Sequence, residues 1–293
     1  ELLKASTGKK MIRESITSIG PSSGQGLSVT SQGGDTYTAK MGNGVDYPIH
    51  QEAWSIKTDY YLDTFVHHLP EIIADLQQSG NPLNRVLEMG VARGVLSIGI
   101  ALLTGEETRL VGIDIEEKAH LLVTRNAEAN GVAHKIEVRI GDLFAPVQPG
   151  ESFDLIFGEL PIIPVNAEEQ RSYIADGYAS EILNISGGPD GRFFVDKLID
   201  QGATHLRPGG AVVLIQPSFI GVEKSLELLA QAGLTGSVLV RREWRLDDTK
   251  FTRSNKGYIE KTTGYRFPQN EAGEDVFYLT ILKGVKPSVA GDS

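Results

Sequence analysis

The 293-residue chain contains no cysteine. That excludes disulfides, thiolate metal sites and cysteine nucleophiles. Aromatic residues make up only 7%, with two tryptophans; Trp54 and Trp244 read as core or lid packing rather than base-stacking platforms. No apolar run reaches the ~18 residues of a membrane span. Lys and Arg number 28 against 38 Asp and Glu. The net charge of −10 argues against nonspecific binding to nucleic acid or anionic membrane. No secretory leader is recognisable, which with the missing cysteines sets the expectation of a cytoplasmic protein. The histidines are scattered, apart from His67 and His68, which would diverge on a helix; no metal set is expected. No P-loop and no Ser-His-Asp spacing occurs.

What is present is an ordinary globular composition, 40% hydrophobic and 23% charged. The organising stretch is Val86-Leu87-Glu88-Met89-Gly90-Val91-Ala92-Arg93-Gly94. A short apolar run ends in glycines, and a helical apolar pattern follows from Val95 to Leu103. Strand, glycine turn and helix open a doubly wound α/β unit. About 20 residues after the turn begins, Leu110-Val111-Gly112-Ile113-Asp114 reads as a second strand with an acid at its carboxyl end, placed for the hydroxyls of a ribose. A dinucleotide fingerprint would need G-x-G-x-x-G. Here position 92 is Ala, and the acidic Glu88 would face a phosphate poorly but an ammonium or sulfonium well.

The remaining pattern alternates. Strands are expected at 86–89, 110–114, 136–140, 153–157, 211–215, 236–244 and 276–283. Helices are expected at 93–104, 117–130, 192–206 and 221–232. This rhythm implies a mostly parallel sheet with helices on both faces. The last two strands, joined by a polar segment (247–274) without a clear helix, would form an antiparallel hairpin. Residues 1–45 read as an irregular or hairpin-forming extension, ordered over a ligand, with a short strand from Thr36 to Met41. Residues 56–76 read as helical, with Pro70 separating two helices or kinking one. Residues 1–80 are thus an extension and helical lid, and 81–293 the ligand-binding domain.

Ligands of open α/β sheets lie outside the carboxyl ends of the strands. Such ends carry Glu88 with Gly90, Asp114, Asp142 and Glu159. The E-x-G-x-x-x-G turn and this ordered set of acids resemble the class I S-adenosylmethionine (SAM) dependent methyltransferases. The resemblance implies a seven-stranded Rossmann-like methyltransferase sheet with SAM as cofactor. It further implies that the Glu88–Gly94 turn wraps the methionine part and that Asp114, with Ile115 beside it, takes the ribose. Asp142 would take the adenine amino group, with Leu143 and Phe144 beside the ring.

The run Asp154-Leu155-Ile156-Phe157-Gly158-Glu159-Leu160-Pro161-Ile162-Ile163-Pro164 aligns without gaps on D-L-I-x-x-N-P-P-Y-I-P. That pattern is the one of the glutamine-N5 methyltransferases of peptide release factors. Gly187-Gly188-Pro189-Asp190-Gly191 and Leu206-Arg207-Pro208-Gly209-Gly210 are similar to the same group. The pattern's Asn is Glu159 here and its Tyr is Ile162. A carboxylate only accepts hydrogen bonds and can take a proton. The expected substrate is therefore an amine or amino-acid-like small molecule, methylated on nitrogen or oxygen in specialised metabolism. Glu159 and Tyr178 are the expected catalytic residues. Glu159, Pro161, Ile162, Tyr173 and Tyr60 are the expected substrate contacts, with Tyr47 and Tyr61 as further cover. Two alternatives stay open. SAM could cyclise to azetidine-2-carboxylate and methylthioadenosine, or the chain could be a non-catalytic SAM-binding scaffold. A homodimer is one option for assembly.

Overall fold

The computed structural model describes residues 36–51, 60–177 and 179–288. The expectations placed on residues 1–35, on Trp54 and on Tyr178 lie outside them.

The core is a seven-stranded sheet of β3 (Arg85–Met89), β4 (Arg109–Asp114), β5 (Ile136–Ile140), β6 (Phe153–Gly158), β7 (Leu206–Pro217), β8 (Thr235–Arg245) and β9 (Val276–Val285). Its spatial order is β5-β4-β3-β6-β7-β9-β8. The first five strands of that order pair in parallel, and β9 runs antiparallel to both β7 and β8. This is the mostly parallel α/β sheet that the alternating pattern implied. The order reverses between β3 and β6, and a doubly wound sheet keeps its ligand crevice at that reversal.

Every residue of β6 is buried, as are Val86 to Met89 of β3. A strand covered by helices on both faces has no polar side to show, which is why these segments read as plain apolar runs. The helices of the parallel part are α2 (Val95–Leu103) after β3 and α3 (Ala119–Ala129) after β4, with α6 (Phe193–His205) before β7 and α7 (Val222–Gln231) after it. Between β6 and α6 lie two short helices, α4 (Ala167–Ala175) and α5 (Ala179–Leu183).

A hairpin of β1 (Thr36–Lys40) and β2 (Asp46–His50) precedes α1 (Tyr60–Gln78). Two side chains pin the hairpin to the helices of the sheet. Tyr47 is buried and its hydroxyl donates to the Val95 carbonyl at 2.8 Å. Gly99 of α2 makes room for it, since a Cβ there would meet the Tyr47 oxygen at 2.8 Å. The buried Asn126 of α3 holds the other end. Its Oδ1 accepts from the His50 N–H at 2.7 Å, and its Nδ2 donates to the carbonyls of His50 (3.0 Å) and Arg93 (2.9 Å).

Three expectations change here. Pro70 does not divide two helices; α1 runs through it. Leu69, Ile72 and Ile73 on either side are all buried. Core burial of that kind, about 1.5–3 kcal/mol for each large side chain, outweighs the ~3 kcal/mol a helical proline costs. The segment 247–274 carries two short helices, α8 (Lys250–Ser254) and α9 (Lys256–Thr263), whose Ile259 is fully buried. β7 starts at Leu206, earlier than read, with its register against β6 shifting between Phe153 and Leu155. The Pro-Gly-Gly signal that suggested a turn sits inside this irregular strand. Among the described residues, no helix is long and apolar enough to cross a membrane.

Removing the Asn126 side chain leaves the His50 N–H and two carbonyls without their partner. Asn126→Ala is therefore expected to lower stability by about 2–3 kcal/mol, measured by urea unfolding. A loss under about 0.5 kcal/mol would show that the hairpin is not held there.

Candidate active site

A cavity of about 580 Å³ opens at the carboxyl ends of β3, β4, β5 and β6, within the size range of small-molecule sites. Its floor is the turn after β3. Gly90 and Ala92 take left-handed φ of 76° and 46°. A side chain at Gly90 would be strained by that φ, and its Cβ would also crowd the Leu160 side chain at 3.1 Å. Ala92 adopts the same half of conformational space with its Cβ in place, a strained choice. The turn is bound to the tip of β4: Gly90 N and Val91 N both donate to the Ile113 carbonyl (2.8 and 3.1 Å), and Ala92 N donates to Asp114 Oδ2 at 2.7 Å.

Glu88 is buried at the end of β3. One of its oxygens accepts from the Ser97 N–H at 3.0 Å and from the Ser97 hydroxyl. Loss of water pushes its carboxyl up to about 8, against the lowering effect of the Ser97 bonds, and the nearby Asp114 adds to the rise. The sign follows: Glu88 favours folding in its neutral form, and that stability is lost as pH rises from the ordinary carboxylate range through about 8. Asp114 is also raised by burial, opposed by the backbone N–H groups of Glu116, Ala92 and Ile115.

Asp142 lies exposed after β5, where Gly141 N donates to the Asp114 carbonyl at 2.8 Å and so ties the two tips together. Glu159 is half-buried on the loop after β6. That loop is braced from outside: Ile163 N donates to the Ile185 carbonyl, and Gly187 N to the Ile163 carbonyl, both at 2.9 Å.

Of the residues expected from the sequence, Glu88, Gly90, Asp114, Ile115, Asp142, Leu143, Glu159, Pro161 and Ile162 all line this cavity. Others do not. Gly94 packs behind it, against Val123. Phe144 is turned into the core by the left-handed Leu143 (φ 46°) and stacks on His205 with ring centroids 5.4 Å apart. Tyr47 is spent on the hairpin. Tyr60 packs against Tyr61 and Trp244, with centroids at 4.4 and 5.2 Å. Tyr173 is buried on α4, outside the lining. Tyr61 does reach the cavity, with Leu62 beside it.

The sequence reading passed over Arg93, Glu116 and Phe194, which also line the cavity. Arg93 stood in the middle of the quoted turn, the one place where a signal was available. The described lining therefore carries five carboxylates (Glu88, Asp114, Glu116, Asp142 and Glu159) and one cation, Arg93. Among the described residues, no cluster of three His, Cys, Asp or Glu is placed to hold a metal. An acidic site of this kind suits a cationic ligand. The sulfonium and ammonium of SAM fit that donor set, and the Gly90 turn lets such a ligand lie against the backbone.

Comparison with known proteins agrees. Residues 86–179 match the family model described as a methyltransferase domain. A Methanocaldococcus jannaschii protein provisionally named a protein N5-glutamine methyltransferase is 31% identical over 156 residues, which cover 53% of this chain and 73% of that one. A release factor glutamine methyltransferase of Gloeobacter violaceus is 28% identical, over 55% of this chain and 54% of its own. The match thus spans about half the length of that relative. An O-methyltransferase of Streptomyces achromogenes, solved with SAM, shares 17% identity over 78% of this chain and 91% of its own, with a TM-score of 0.39. From the matched family model and the well-covered archaeal relative, the chain belongs to the class I SAM-dependent methyltransferases, transferases that use S-adenosylmethionine.

Proposed function

We propose that the chain methylates nitrogen or oxygen of a small molecule, an amine or amino-acid-like acceptor, and that Glu159 holds the acceptor and takes its proton. The observation that carries this reading is the place of Glu159. It lines the cavity directly after β6, where the resembling pattern has an asparagine that binds a planar amide. An asparagine both donates and accepts, and so pairs with an amide; an ionised carboxylate only accepts. It therefore favours N–H or O–H donors, and an ammonium acceptor must lose a proton before it can attack.

When bound, SAM supplies a methyl group already activated on a sulfonium, so the protein's share is alignment, exclusion of water and custody of a proton. In this reading Glu88, Gly90, Asp114, Ile115, Asp142 and Leu143 hold the cofactor. Pro161 and Ile162 bound the acceptor side, and Tyr61 and Leu62 of α1 cover the site from above.

A second reading keeps the same chemistry and changes the acceptor to a protein side chain. Its support is the rim: Ile115, Leu183 and Phe193 line the cavity and are 73%, 50% and 52% exposed, an apolar border of a kind that seats polypeptide. The relatives named for release factors point the same way. Incubation with SAM alone, then with amines, amino acids or bacterial protein extract, followed by mass spectrometry, separates the readings. S-adenosylhomocysteine formed with a small acceptor supports the first. Its formation only with protein supports the second. Methylthioadenosine with a cyclic amino acid, from SAM alone, sinks both.

Two outcomes are expected. Glu159→Gln spares SAM affinity and lowers turnover at least tenfold (about 1.4 kcal/mol or more); unchanged turnover removes its assigned role. A cation seated beside Glu88 favours the ionised carboxylate, so SAM binding at pH 7 should release about one proton. Titration calorimetry in two buffers of different ionisation heat measures this. Release should vanish in Glu88→Gln and above about pH 9.5, where wild-type Glu88 is already charged; no release from the wild type at pH 7 contradicts the placement.

A further inference from the structure

Arg93 is only 3% exposed, yet it lines the cavity. Its side chain is held from one direction. Nε donates to the Tyr37 hydroxyl at 3.4 Å, and the guanidinium carbon lies 5.2 Å from the centre of the Tyr37 ring. Its backbone carbonyl is fixed by Asn126 at 2.9 Å. Among the described residues, no other hydrogen bond and no carboxylate partner meets this guanidinium.

That is an unusual state for arginine. The group stays charged in proteins and carries five N–H donors in a planar fork. Burying it is unfavourable unless an anion meets those donors. The fork matches a carboxylate in two-point fashion. Every other charged group of the described lining is acidic, so a ligand carboxylate entering this cavity has one favourable place to go. Arg93 also sits in the same turn as Glu88. A cation and a buried acid in one short turn complement the two charges of an α-amino acid.

We propose that Arg93 is a carboxylate subsite that takes the α-carboxylate of SAM's methionine part and so sets selectivity for the intact cofactor. The inference rests on the placement of the methionine part at the Glu88–Gly94 turn. The hairpin becomes part of the site through it, because Tyr37 of β1 orients the guanidinium.

The test compares SAM with decarboxylated SAM, which keeps the adenosyl, sulfonium and amine and lacks only the carboxylate. Titration calorimetry on the full chain gives both affinities for wild type, Arg93→Met and Arg93→Lys. The expected result is that Arg93→Met weakens SAM at least about tenfold, the scale of one charge-assisted hydrogen bond, and leaves decarboxylated SAM within about twofold. Arg93→Lys should fall between, since lysine keeps the charge and loses the fork. It also preserves the test if the methionine variant does not fold. Equal weakening of both ligands, or unchanged affinity for both, overturns the proposal, the latter also if Arg93 serves an acceptor's carboxylate instead. A wild type that binds neither ligand overturns the reading of the cavity itself, a result distinct from failure of the subsite alone.

Discussion

A strand covered on both faces can place polar chemistry only at its ends. β3 and β6 are buried almost throughout, and β4 from Leu110 to Ile113. Glu88, Asp114, Asp142 and Glu159 therefore collect at one edge, where β3, β4, β5 and β6 stop. Gathering them there is unfavourable: burial raises Glu88 and Asp114 alike, Asp114 adds to the rise of Glu88, and Glu116 adds to that of Asp114. A cation that enters this edge relieves a strain built into the folded state. The same desolvation strengthens every contact it makes.

Backbone N–H groups tie the tips of β3, β4 and β5 to one another. Ala92 N and Glu116 N hold the Asp114 carboxylate, the Ile113 carbonyl receives two N–H groups of the glycine turn, and Gly141 N returns to the Asp114 carbonyl. The glycine turn, Asp114 and the loop after β5 thus form one connected unit. The N-terminal hairpin joins it through Asn126, which bonds both His50 and the Arg93 carbonyl. A segment that reads as an extension in the sequence is continuous with the wall of the cavity.

Pattern made the strands legible in two ways. β3, β4 and β6 came within one residue of their reading, because two-sided burial leaves an unbroken apolar run bounded by turn residues; β5, an edge strand without a buried residue, matched residue for residue because Ile136, Val138 and Ile140 alternate with charged residues. β7 was shortened in the reading because Pro208, Gly209 and Gly210 imitate a turn while lying within an irregular strand. β2 was missed although Tyr47 and Ile49 alternate with outward residues, since five residues around a proline give little signal. The site was legible where position alone decides it, at Glu88, Asp114, Asp142 and Glu159. It was not legible where direction decides. The left-handed turn at Leu143 sends Phe144 inward, the packing of α1 against β8 uses up Tyr60, and Arg93 stands in the quoted turn with no role read from it. One-dimensional spacing places a residue at a strand end but does not say which way its side chain leaves.

The most direct measurement is a crystal structure of the chain grown with S-adenosylhomocysteine. The account predicts the ligand across the carboxyl ends of β3, β4 and β5, its ribose at Asp114, its adenine beside Asp142 and its sulfur turned toward the Glu159 loop. An adenosyl group seated away from those strand tips, or a cavity left empty at saturating ligand, contradicts it.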